Sequence, residues 1–227
     1  MRNYGIFRTH IASITVKRSL IYGPCLVLGS GPNPAIPAGF NKTWSLLTVN
    51  ASQASIKDLN MQPAVTVISD QMLGNSAANI AGKEALKNSK TSRLVLINRR
   101  YAVSHAKRIL RTLNYCYEEL SVISHWGRSR IAYEVLKEYV ALGSGEQKIS
   151  TGIFASLLAL YAGANQVVLS GFSFSIDGHA YNTLNHKRSH ISSDKTALLL
   201  ARNKGLPFYT PDKTFSAESG LPEWKGL

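Results

Sequence analysis

Short apolar runs alternate along the chain with longer stretches of helical periodicity. Seven runs are short and apolar enough to predict strands buried in a sheet: Cys25–Leu28, Ser45–Val49, Ala64–Ile68, Arg93–Ile97, Leu120–Ile123, Gln166–Leu169 and Pro207–Tyr209. Helices are predicted over Ala77–Asn88, Ala102–Leu113, Arg130–Ala141, Gly152–Ala162 and Asp194–Lys204. In the last helix, we expect Asp194 to be the N-cap and Gly205 to follow the C-terminus. The alternation predicts an α/β fold with a mostly parallel sheet and helices on both faces.

Residues 170 to 193 interrupt this alternation, because they show the period of neither a helix nor a strand. A segment of this length without regular structure is typically functional or disordered. It contains three of the six histidines, His179, His186 and His190, which favours a function. We expect residues 175 to 190 to form a flexible lid loop.

Glycine turns follow two of the predicted strands. Gly29-Ser30-Gly31 follows the first strand, Ser170-Gly171 follows the sixth, and Ser150-Thr151-Gly152 begins the helix between them. Ligands of open α/β sheets bind at the carboxyl ends of strands, where amide groups of such turns can approach a phosphate. The first turn is not a dinucleotide fingerprint, since Pro34 occupies the third glycine position, and a tight structural turn is its alternative explanation. Together, the turns and the histidine-bearing loop predict a nucleotide-using enzyme.

Composition predicts one domain over residues 1–227, with a basic N-terminal segment over residues 1–22. The net charge is +13, from 26 Lys and Arg against 13 acidic residues, and the first acidic residue is Asp58. Such a charge suits an anionic membrane surface, a phosphorylated glycan or nucleic acid. Nucleic acid is disfavoured, because no run of basic residues is interleaved with aromatic ones. Solubility alone is the alternative explanation of the charge.

The cysteines and the apolar runs indicate a cytoplasmic protein. Cys25 and Cys116 have no metal-ligand spacing, and two reduced thiols are favoured, with one disulfide left open. No uncharged apolar run approaches the roughly 20 residues that span a bilayer. The basic charge leaves open peripheral contact with the inner membrane face.

The histidines allow two kinds of chemistry. A metal site could be formed by Asp177 with His179, His186 and His190. The basic residues between His186 and His190 would repel a cation, however, so a single histidine acting as a base is favoured. No Asp-x-Asp or Asp-x-Glu pair is present to hold a divalent ion. A bound phosphate would then be neutralised by Tyr181, Ser175, Lys148, Ser150 and Thr151. Aromatic packing is the alternative role for Tyr181.

Six segments carry a further pattern: Leu28–Pro32, Val49–Asn50, Glu146–Ile153, Val168–Phe174, Asp177–Tyr181 and His190–Leu198. They resemble, in the same order, segments of the bacterial lipooligosaccharide sialyltransferases of glycosyltransferase family 42, which use CMP-sialic acid. Glu146–Ile153 resembles the family's Asn-Gln-Arg-Ile-Thr-Ser-Gly-Val, and Val168–Phe174 resembles its Tyr-Leu-Ser-Gly-Ile-Asp-Phe. The resemblance implies a single Rossmann-like domain of the GT-A variant type.

The resemblance also implies a reaction and a set of residues. The reaction is an inverting, metal-independent transfer of a sialic-acid-like sugar from CMP to a glycan hydroxyl of a surface oligosaccharide, with the CMP-sugar as co-substrate and no other cofactor. His190 matches the family's base, and Tyr181 matches a tyrosine that stabilises the departing phosphate. The turns and the resemblance together suggest these substrate-binding residues: Gly29, Ser30, Gly31, Asn50, Asp70, Lys148, Ser150, Thr151, Gly152, Ser170, Gly171 and Ser175.

The chain also departs from the family pattern. Ser175 stands where the family has a second phosphate-binding tyrosine, Lys148 replaces an arginine, and Asp70 stands near a nucleotide-contacting asparagine. The chain ends soon after Pro211, without most of the family's C-terminal segment. CMP-Kdo therefore competes with CMP-sialic acid as the expected donor. A nucleotide-sugar hydrolase, a pyrophosphokinase-like enzyme and a nucleotide-binding or nucleic-acid-binding Rossmann-like protein without transferase activity are the rival hypotheses.

Overall fold

The structure is a computed structural model that describes residues 16, 18–98, 102–140, 148–182, 184 and 189–226. Seven strands form one sheet in the order β5-β4-β3-β2-β1-β6-β7, and every pairing between neighbours is parallel. The strands are β1 (Pro24–Leu28), β2 (Ser45–Val49), β3 (Val65–Ser69), β4 (Lys90–Asn98), β5 (Cys116–Ser124), β6 (Gln166–Ser170) and β7 (Phe208–Tyr209). All seven predicted strands are confirmed, although β4 and β5 begin earlier than predicted.

Both faces are buried in the middle of the sheet, which explains why its inner strands are largely apolar. Along β4, Val95 and Ile97 belong to one core cluster, whereas Leu94 and Leu96 belong to another on the opposite face. Successive side chains of a strand point to opposite faces, so a strand covered on both sides is apolar at every position.

The described helices are α1 (Ala77–Leu86), α2 (Val103–Thr112), α3 (His125–Leu136), α4 (Thr151–Tyr161), α5 (Ile191–Asn203) and α6 (Lys213–Ser219). Residues of α3, α4, α5 and α6 contribute to the first core cluster, and residues of α1 and α2 to the second, so the predicted helices on both faces are confirmed. Two 3₁₀ segments, Ser52–Leu59 and Asp70–Leu73, follow β2 and β3.

Two predicted helix starts are wrong. The helix predicted from Arg130 begins at His125, because the Ser124 side chain accepts a hydrogen bond from the Gly127 amide and so caps it. The helix predicted from Asp194 begins at Ile191, so Asp194 lies inside its first turn and is not the N-cap.

The predicted end of α5 is confirmed. Gly205 has φ +63° and its amide donates to the Arg202 carbonyl, while the Leu206 amide donates to the Ala201 carbonyl. This pair of bonds is a Schellman motif, in which a glycine takes the left-handed conformation that other residues avoid.

The strand order reverses at β1. The chain builds outward from β1 through β2 to β5 on one side and then returns to place β6 and β7 on the other. Loops that leave β1 and β6 at their carboxyl ends diverge at such a switch point and leave a crevice between them. The topology therefore predicts a binding site beside Gly29 and Gly171.

Two further expectations concern the cysteines and the membrane. Cys25 is buried in β1 and Cys116 is exposed at the start of β5, and both are free thiols. Burial raises the pKa of the Cys25 thiol. Among the described helices, none combines the length and the apolar character that crossing a bilayer requires.

Candidate functional site

A cleft of about 290 Å³ lies at the carboxyl ends of β1, β2, β3 and β6. Its walls are formed by the loops after these strands and by the N-terminal ends of α1, α4 and α5. The lining residues are Gly29, Ser30, Val49, Asn50, Ser69, Gln71, Met72, Ala78, Asn79, Ser150, Thr151, Gly152, Gly171, Phe172, Ser173, Phe174, Gly178, His179, Tyr181, Ser189, His190, Asp194 and Phe215. The cleft thus gathers most of the residues singled out in the sequence.

The floor of the cleft is made of backbone from the turns after β1 and β6. The Gly29 amide donates to the Ser170 carbonyl and the Gly31 amide to the Gly171 carbonyl, each over 2.8 Å. A Cβ atom on Gly29 would lie 2.5 Å from the Gly171 oxygen, and Gly171 itself has φ +70°. Only glycine allows this approach, which explains the residue type at both turns.

The N-terminus of α4 forms one wall. Ser150 is its N-cap, and the Ser150 hydroxyl accepts from the Ile153 amide over 3.2 Å. Thr151 and Gly152 follow in the first turn, where backbone amides have no acceptor within the helix. An anion near this end would meet both those amides and the positive end of the helix dipole.

Asp194 ties the starts of α4 and α5 together. It is 7% exposed, and its Oδ1 accepts from the Ser150 amide over 2.6 Å. The Asp194 amide in turn donates to the His190 carbonyl over 2.9 Å. His190 therefore occupies the N-cap of α5, half-buried and facing the same cleft as Ser150.

Asn50 lies at the end of β2 in a left-handed conformation, with φ +52°. Its Oδ1 accepts from the Ser69 amide over 3.1 Å, which fixes the side chain across the ends of β2 and β3. Because the carbonyl oxygen is used in this bond, the amide nitrogen of Asn50 is the group left to donate to a ligand.

Tyr181 and His179 stack on each other in the loop after β6. Their ring centroids are 5.1 Å apart and the rings are inclined by 4°. The His179 Nδ1 atom is 2.9 Å from the Ser30 hydroxyl, and the Ala180 amide donates to the Ser30 carbonyl. Burial raises the pKa of Tyr181 to about 12, so its phenol remains a neutral hydrogen-bond donor at ordinary pH.

Tyr181 also packs against the core. It contacts the cluster that contains Met72 and Leu86, and its hydroxyl oxygen would lie 3.7 Å from a Cβ atom on Gly82 of α1. The packing role and the donor role are therefore compatible for this residue.

Ser175 lies outside the cleft lining, contrary to the sequence-based expectation. Its hydroxyl donates to Glu218 of α6, and the Phe174 amide donates to the same carboxylate over 2.6 Å. Partial burial raises the pKa of Glu218, but the hydrogen bonds from Ser175, Phe174 and Ser173 outweigh this effect and hold the pKa below its usual value. The carboxylate fixes the loop after β6 to α6.

Four other predicted residues also lie outside the lining. The Gly31 amide and the Ser170 hydroxyl are used inside the fold, and the hydroxyl donates to the Ala35 carbonyl over 2.6 Å. Asp70 is fully buried at the start of a 3₁₀ segment. Lys148 lies two residues before Ser150, the N-cap of α4 that lines the cleft.

Several lining residues were not anticipated. Asn79, in the first turn of α1, donates from its side chain to the backbone carbonyl of Gln71 over 3.0 Å, and both residues line the cleft. Phe172 stacks on Phe215 with ring centroids 5.8 Å apart. Ser76, the N-cap of α1, could have indicated that this helix start points to the same sheet edge.

Within the described ranges, no group of three or more His, Cys, Asp or Glu side chains is arranged to hold a metal ion. His186 of the metal hypothesis, and residues 183, 185, 187 and 188 of the predicted lid loop, lie outside the described residues.

No protein-family model matches the chain, and no curated protein sequence is detectably similar to it. Solved structures are similar in fold. The sialyltransferase CstII in complex with a trisaccharide acceptor and CMP is 14% identical with a TM-score of 0.56, covering 89% of this chain and 87% of that one. CstII from Campylobacter jejuni with CMP is 12% identical with a TM-score of 0.53, covering 90% and 87%.

The monofunctional alpha-2,3-sialyltransferase Cst-I from Campylobacter jejuni is 13% identical with a TM-score of 0.55, covering 95% of this chain and 84% of that one. These identities are too low to transfer a function, but the matched regions include nearly the whole of each chain. The predicted α/β architecture is confirmed, and the chain has the fold of the sialyltransferases CstII and Cst-I.

Proposed function

We propose that this protein is a glycosyltransferase that moves a sialic-acid-like sugar from CMP to a glycan hydroxyl, with inversion and without a metal ion. The observation that carries the proposal is the content of one cleft. An imidazole at a helix N-cap, a half-buried neutral phenol and the amide-rich starts of two helices surround a floor of glycine backbone. The shared fold supports it, since the similar structures hold CMP and a trisaccharide acceptor.

His190 is the proposed base. As the acceptor oxygen bonds to the anomeric carbon, the imidazole takes the hydroxyl proton. The bond from the anomeric carbon to the CMP phosphate oxygen breaks at the same time, and its electron pair leaves with the phosphate. A histidine suits this step because its ordinary pKa near 6.5 leaves most imidazoles neutral at pH 7.

Tyr181 is the proposed donor to the departing phosphate. Its raised pKa keeps the proton on the phenol while negative charge develops on the leaving group. Because the Ser175 hydroxyl is hydrogen-bonded to Glu218, it is not positioned to share this role, and Tyr181 becomes the main side-chain donor.

The donor's charge is held by backbone rather than by arginine or metal. The amides of Thr151 and Gly152 at the start of α4, the turn at Gly29 and Ser30, and the Asn50 amide nitrogen are the proposed nucleotide and phosphate contacts. Lys148, two residues before Ser150 in the chain, is assigned the role of adding a positive charge near the start of α4.

The proposal is tested by incubating the full chain with an oligosaccharide acceptor and either CMP-sialic acid or CMP-Kdo, with EDTA or Mg²⁺. Mass spectrometry of the glycan reports transfer. The anomeric carbon of these sugars carries no hydrogen, so stereochemistry is read by NMR from the C3 protons of the transferred sugar and the coupling of its C1 carbon to the axial H3. We expect an inverted product with one of the two donors and similar rates with EDTA and Mg²⁺. CMP release without glycosylated product would indicate a hydrolase, and activity that depends on a divalent ion would contradict the metal-independent mechanism.

A further inference from the structure

A second cavity, of about 550 Å³, lies at the opposite edge of the sheet from the cleft. It is bordered by Pro63 before β3 and by Lys90, the first residue of β4, so it opens at the amino ends of the strands. Its lining residues are Gln53, Ile56, Lys57, Asn60, Met61, Gln62, Pro63, Lys87, Asn88, Ser89 and Lys90, and none of them lines the cleft.

Three lysines from three different elements surround this cavity. Lys57 lies in the 3₁₀ segment after β2, Lys87 is the C-cap of α1, and Lys90 begins β4. Lys87 has a weak ion pair with Glu84 at 3.6 Å, with both side chains more than half exposed. In the part of the chain that the structure describes, Lys57 and Lys90 have no carboxylate oxygen within 4.0 Å.

Two further carboxylates lie near the cavity without forming an ion pair with Lys57 or Lys90. Glu118 Oε1 accepts a hydrogen bond over 3.3 Å from Nε2 of Gln62, which lines the cavity, and the exposed Asp58 follows Lys57 in the chain. Like charges that converge on one cavity repel one another, so the arrangement favours occupation by an anion.

A buried amide adds a directed donor to the lysines. Gln53 is 9% exposed, and its Oε1 accepts from the Tyr115 hydroxyl over 3.0 Å and from the Thr66 hydroxyl over 3.4 Å. Burial raises the pKa of Tyr115, although a hydrogen bond with Thr66 lowers it in part, so the tyrosine remains a donor. Because the Tyr115 and Thr66 hydroxyls both donate to Oε1 of Gln53, its Nε2 group is the part of the side chain that can donate to a ligand in the cavity.

We propose that this cavity is a binding site for a ligand that carries at least two phosphate groups. Ammonium groups bind phosphate as point charges, and the amide of Gln53 orients one of the phosphate oxygens. The volume is in the range of small-molecule sites, and one phosphate would leave most of it empty. The ligand is either a free polyphosphorylated molecule or a phosphorylated headgroup whose remainder lies outside the cavity. The proposal does not depend on the function assigned to the cleft.

Titration of the full chain with inorganic pyrophosphate, measured by calorimetry with and without saturating CMP, tests the site. We expect the double variant Lys57→Gln/Lys90→Gln to weaken pyrophosphate binding at least about tenfold, because each lysine supplies a charge-assisted hydrogen bond. The matched control, Lys213→Gln/Lys225→Gln, removes the same charge from exposed lysines outside the cavity and should bind within about twofold of the unchanged chain.

Gln53→Glu provides a second variant. It keeps an oxygen for Tyr115 and Thr66 but replaces the donor with an acceptor, so pyrophosphate should bind more weakly. Vesicles of cardiolipin, whose headgroup carries two phosphates, and of phosphatidylcholine separate the two ligand sources. Binding to the cardiolipin vesicles that requires Lys57 and Lys90 supports a headgroup, and pyrophosphate binding alone supports a free ligand. Equal losses in the cavity and control variants, or pyrophosphate binding abolished by CMP, would overturn the proposal.

Discussion

The position of His190 is determined by backbone. Its carbonyl accepts from the Asp194 amide, and the Asp194 carboxylate accepts from the Ser150 amide, so the candidate base and the candidate phosphate-binding turn belong to one hydrogen-bonded unit. Removing the imidazole leaves these bonds intact, and the effect of a His190 variant should therefore be chemical rather than structural.

We predict that His190→Ala folds normally, still binds CMP and transfers sugar at least about a hundredfold more slowly, since loss of a general base typically costs about 10²–10⁴ in rate. Transfer kinetics and a CMP-dependent thermal shift measure the two properties. His105→Ala, on α2 and outside the cleft, is the control. Near-normal transfer by the His190 variant would reassign the base, with His179 as the next candidate in the cleft.

Tyr181→Phe should keep the ring stack with His179 and remove only the hydroxyl. We predict a loss of roughly 10²–10³ in turnover, the usual effect of deleting one donor aimed at developing charge. Because burial raises the pKa of Tyr181 to about 12, the ratio of the turnover of the Phe variant to that of the unchanged chain should stay constant from about pH 6 to pH 9. Unchanged turnover would assign Tyr181 a packing role alone.

At the scale of elements, two helical glycines should respond to alanine in opposite ways. A Cβ atom on Gly152 of α4 would lie 2.7 Å from Cε1 of Phe172, whereas one on Gly82 of α1 would have Met72 Sδ as its nearest contact, at 3.4 Å. Phe172 stacks on Phe215 and has little room to move. Gly152→Ala should therefore lower the free energy of unfolding by about 1–3 kcal/mol.

Gly82→Ala is the matched control, and it should leave the free energy of unfolding unchanged or raise it by up to about 1 kcal/mol through helix propensity. Urea denaturation of both variants measures the difference. Equal stability of the two would show that Phe172 yields to the added methyl group and that the α4 start does not require glycine.

Glu218 joins α6 to the loop that forms one wall of the cleft. We predict that Glu218→Gln lowers the free energy of unfolding by about 1 kcal/mol at pH 7, after allowance for solvent screening of a partly exposed group. The pKa of this carboxyl is lowered in the folded state, so its contribution is present above its usual pKa of about 4.3 and is lost as the pH falls through the lower folded value.

The difference in melting temperature between the Glu218 variant and the unchanged chain should therefore shrink in acid. The exposed Glu223 offers a control, and Glu223→Gln should match the unchanged chain throughout the pH range. A Glu218 difference that persists at the most acidic pH would mean that packing, rather than the charged hydrogen bonds, holds the loop.

Most elements of this fold could be predicted because their signals are local. The inner strands β1, β2, β3 and β6 are short and largely apolar, and Gly205 marks a helix end by its backbone preference. The α6 helix was missed because its seven residues provide only two turns of periodicity, although Asp212 accepts from the Phe215 amide as a cap. The α3 start was missed because Gly127 lies in its first turn, where glycine is a weak helix former.

The parts of the site that are formed by backbone turns could be predicted from the sequence. The hydrogen-bond partners of its side chains were harder to predict. The turns at Gly29 and Gly171 could be located from strand ends, and the turn at Gly152 from the start of a helix. The hydroxyl of Ser175 could not, because its partner Glu218 is 43 residues away in the chain and sequence spacing does not show the contact. The roles of His190 and Tyr181 stay predictions.

At the scale of the molecule, the net charge of +13 suits an anionic binding partner. If the basic N-terminal segment contacts anionic lipid, the chain should bind phosphatidylglycerol vesicles at low salt. That binding should weaken steeply toward physiological salt, because the Debye length falls from about 30 Å at 0.01 M to about 8 Å at 0.15 M.

The double variant Arg2→Gln/Arg8→Gln removes two charges from this segment, most of which lies outside the described residues. The control, Lys213→Gln/Lys225→Gln, lowers the net charge equally. Vesicle sedimentation should show a larger loss of vesicle binding for the N-terminal variant than for the control. Equal losses would show that total charge, and not the N-terminal segment, drives the attraction. Binding that does not respond to salt would indicate apolar insertion instead.

The backbone contact between the turns after β1 and β6 limits how this protein could change its specificity. A side chain at Gly29 would meet the Gly171 oxygen, and one at Gly171 would lie 2.7 Å from the Gly29 oxygen, so neither position can acquire a new side chain without separating the two strands. The floor of the cleft therefore has the same backbone shape for every ligand, and its Gly29 and Gly31 amides stay hydrogen-bonded within the fold. Any preference between related donors must therefore be determined by the residues of the walls. A mutational library for altered preference would keep both glycines and vary Met72, Asn79 and Ser189.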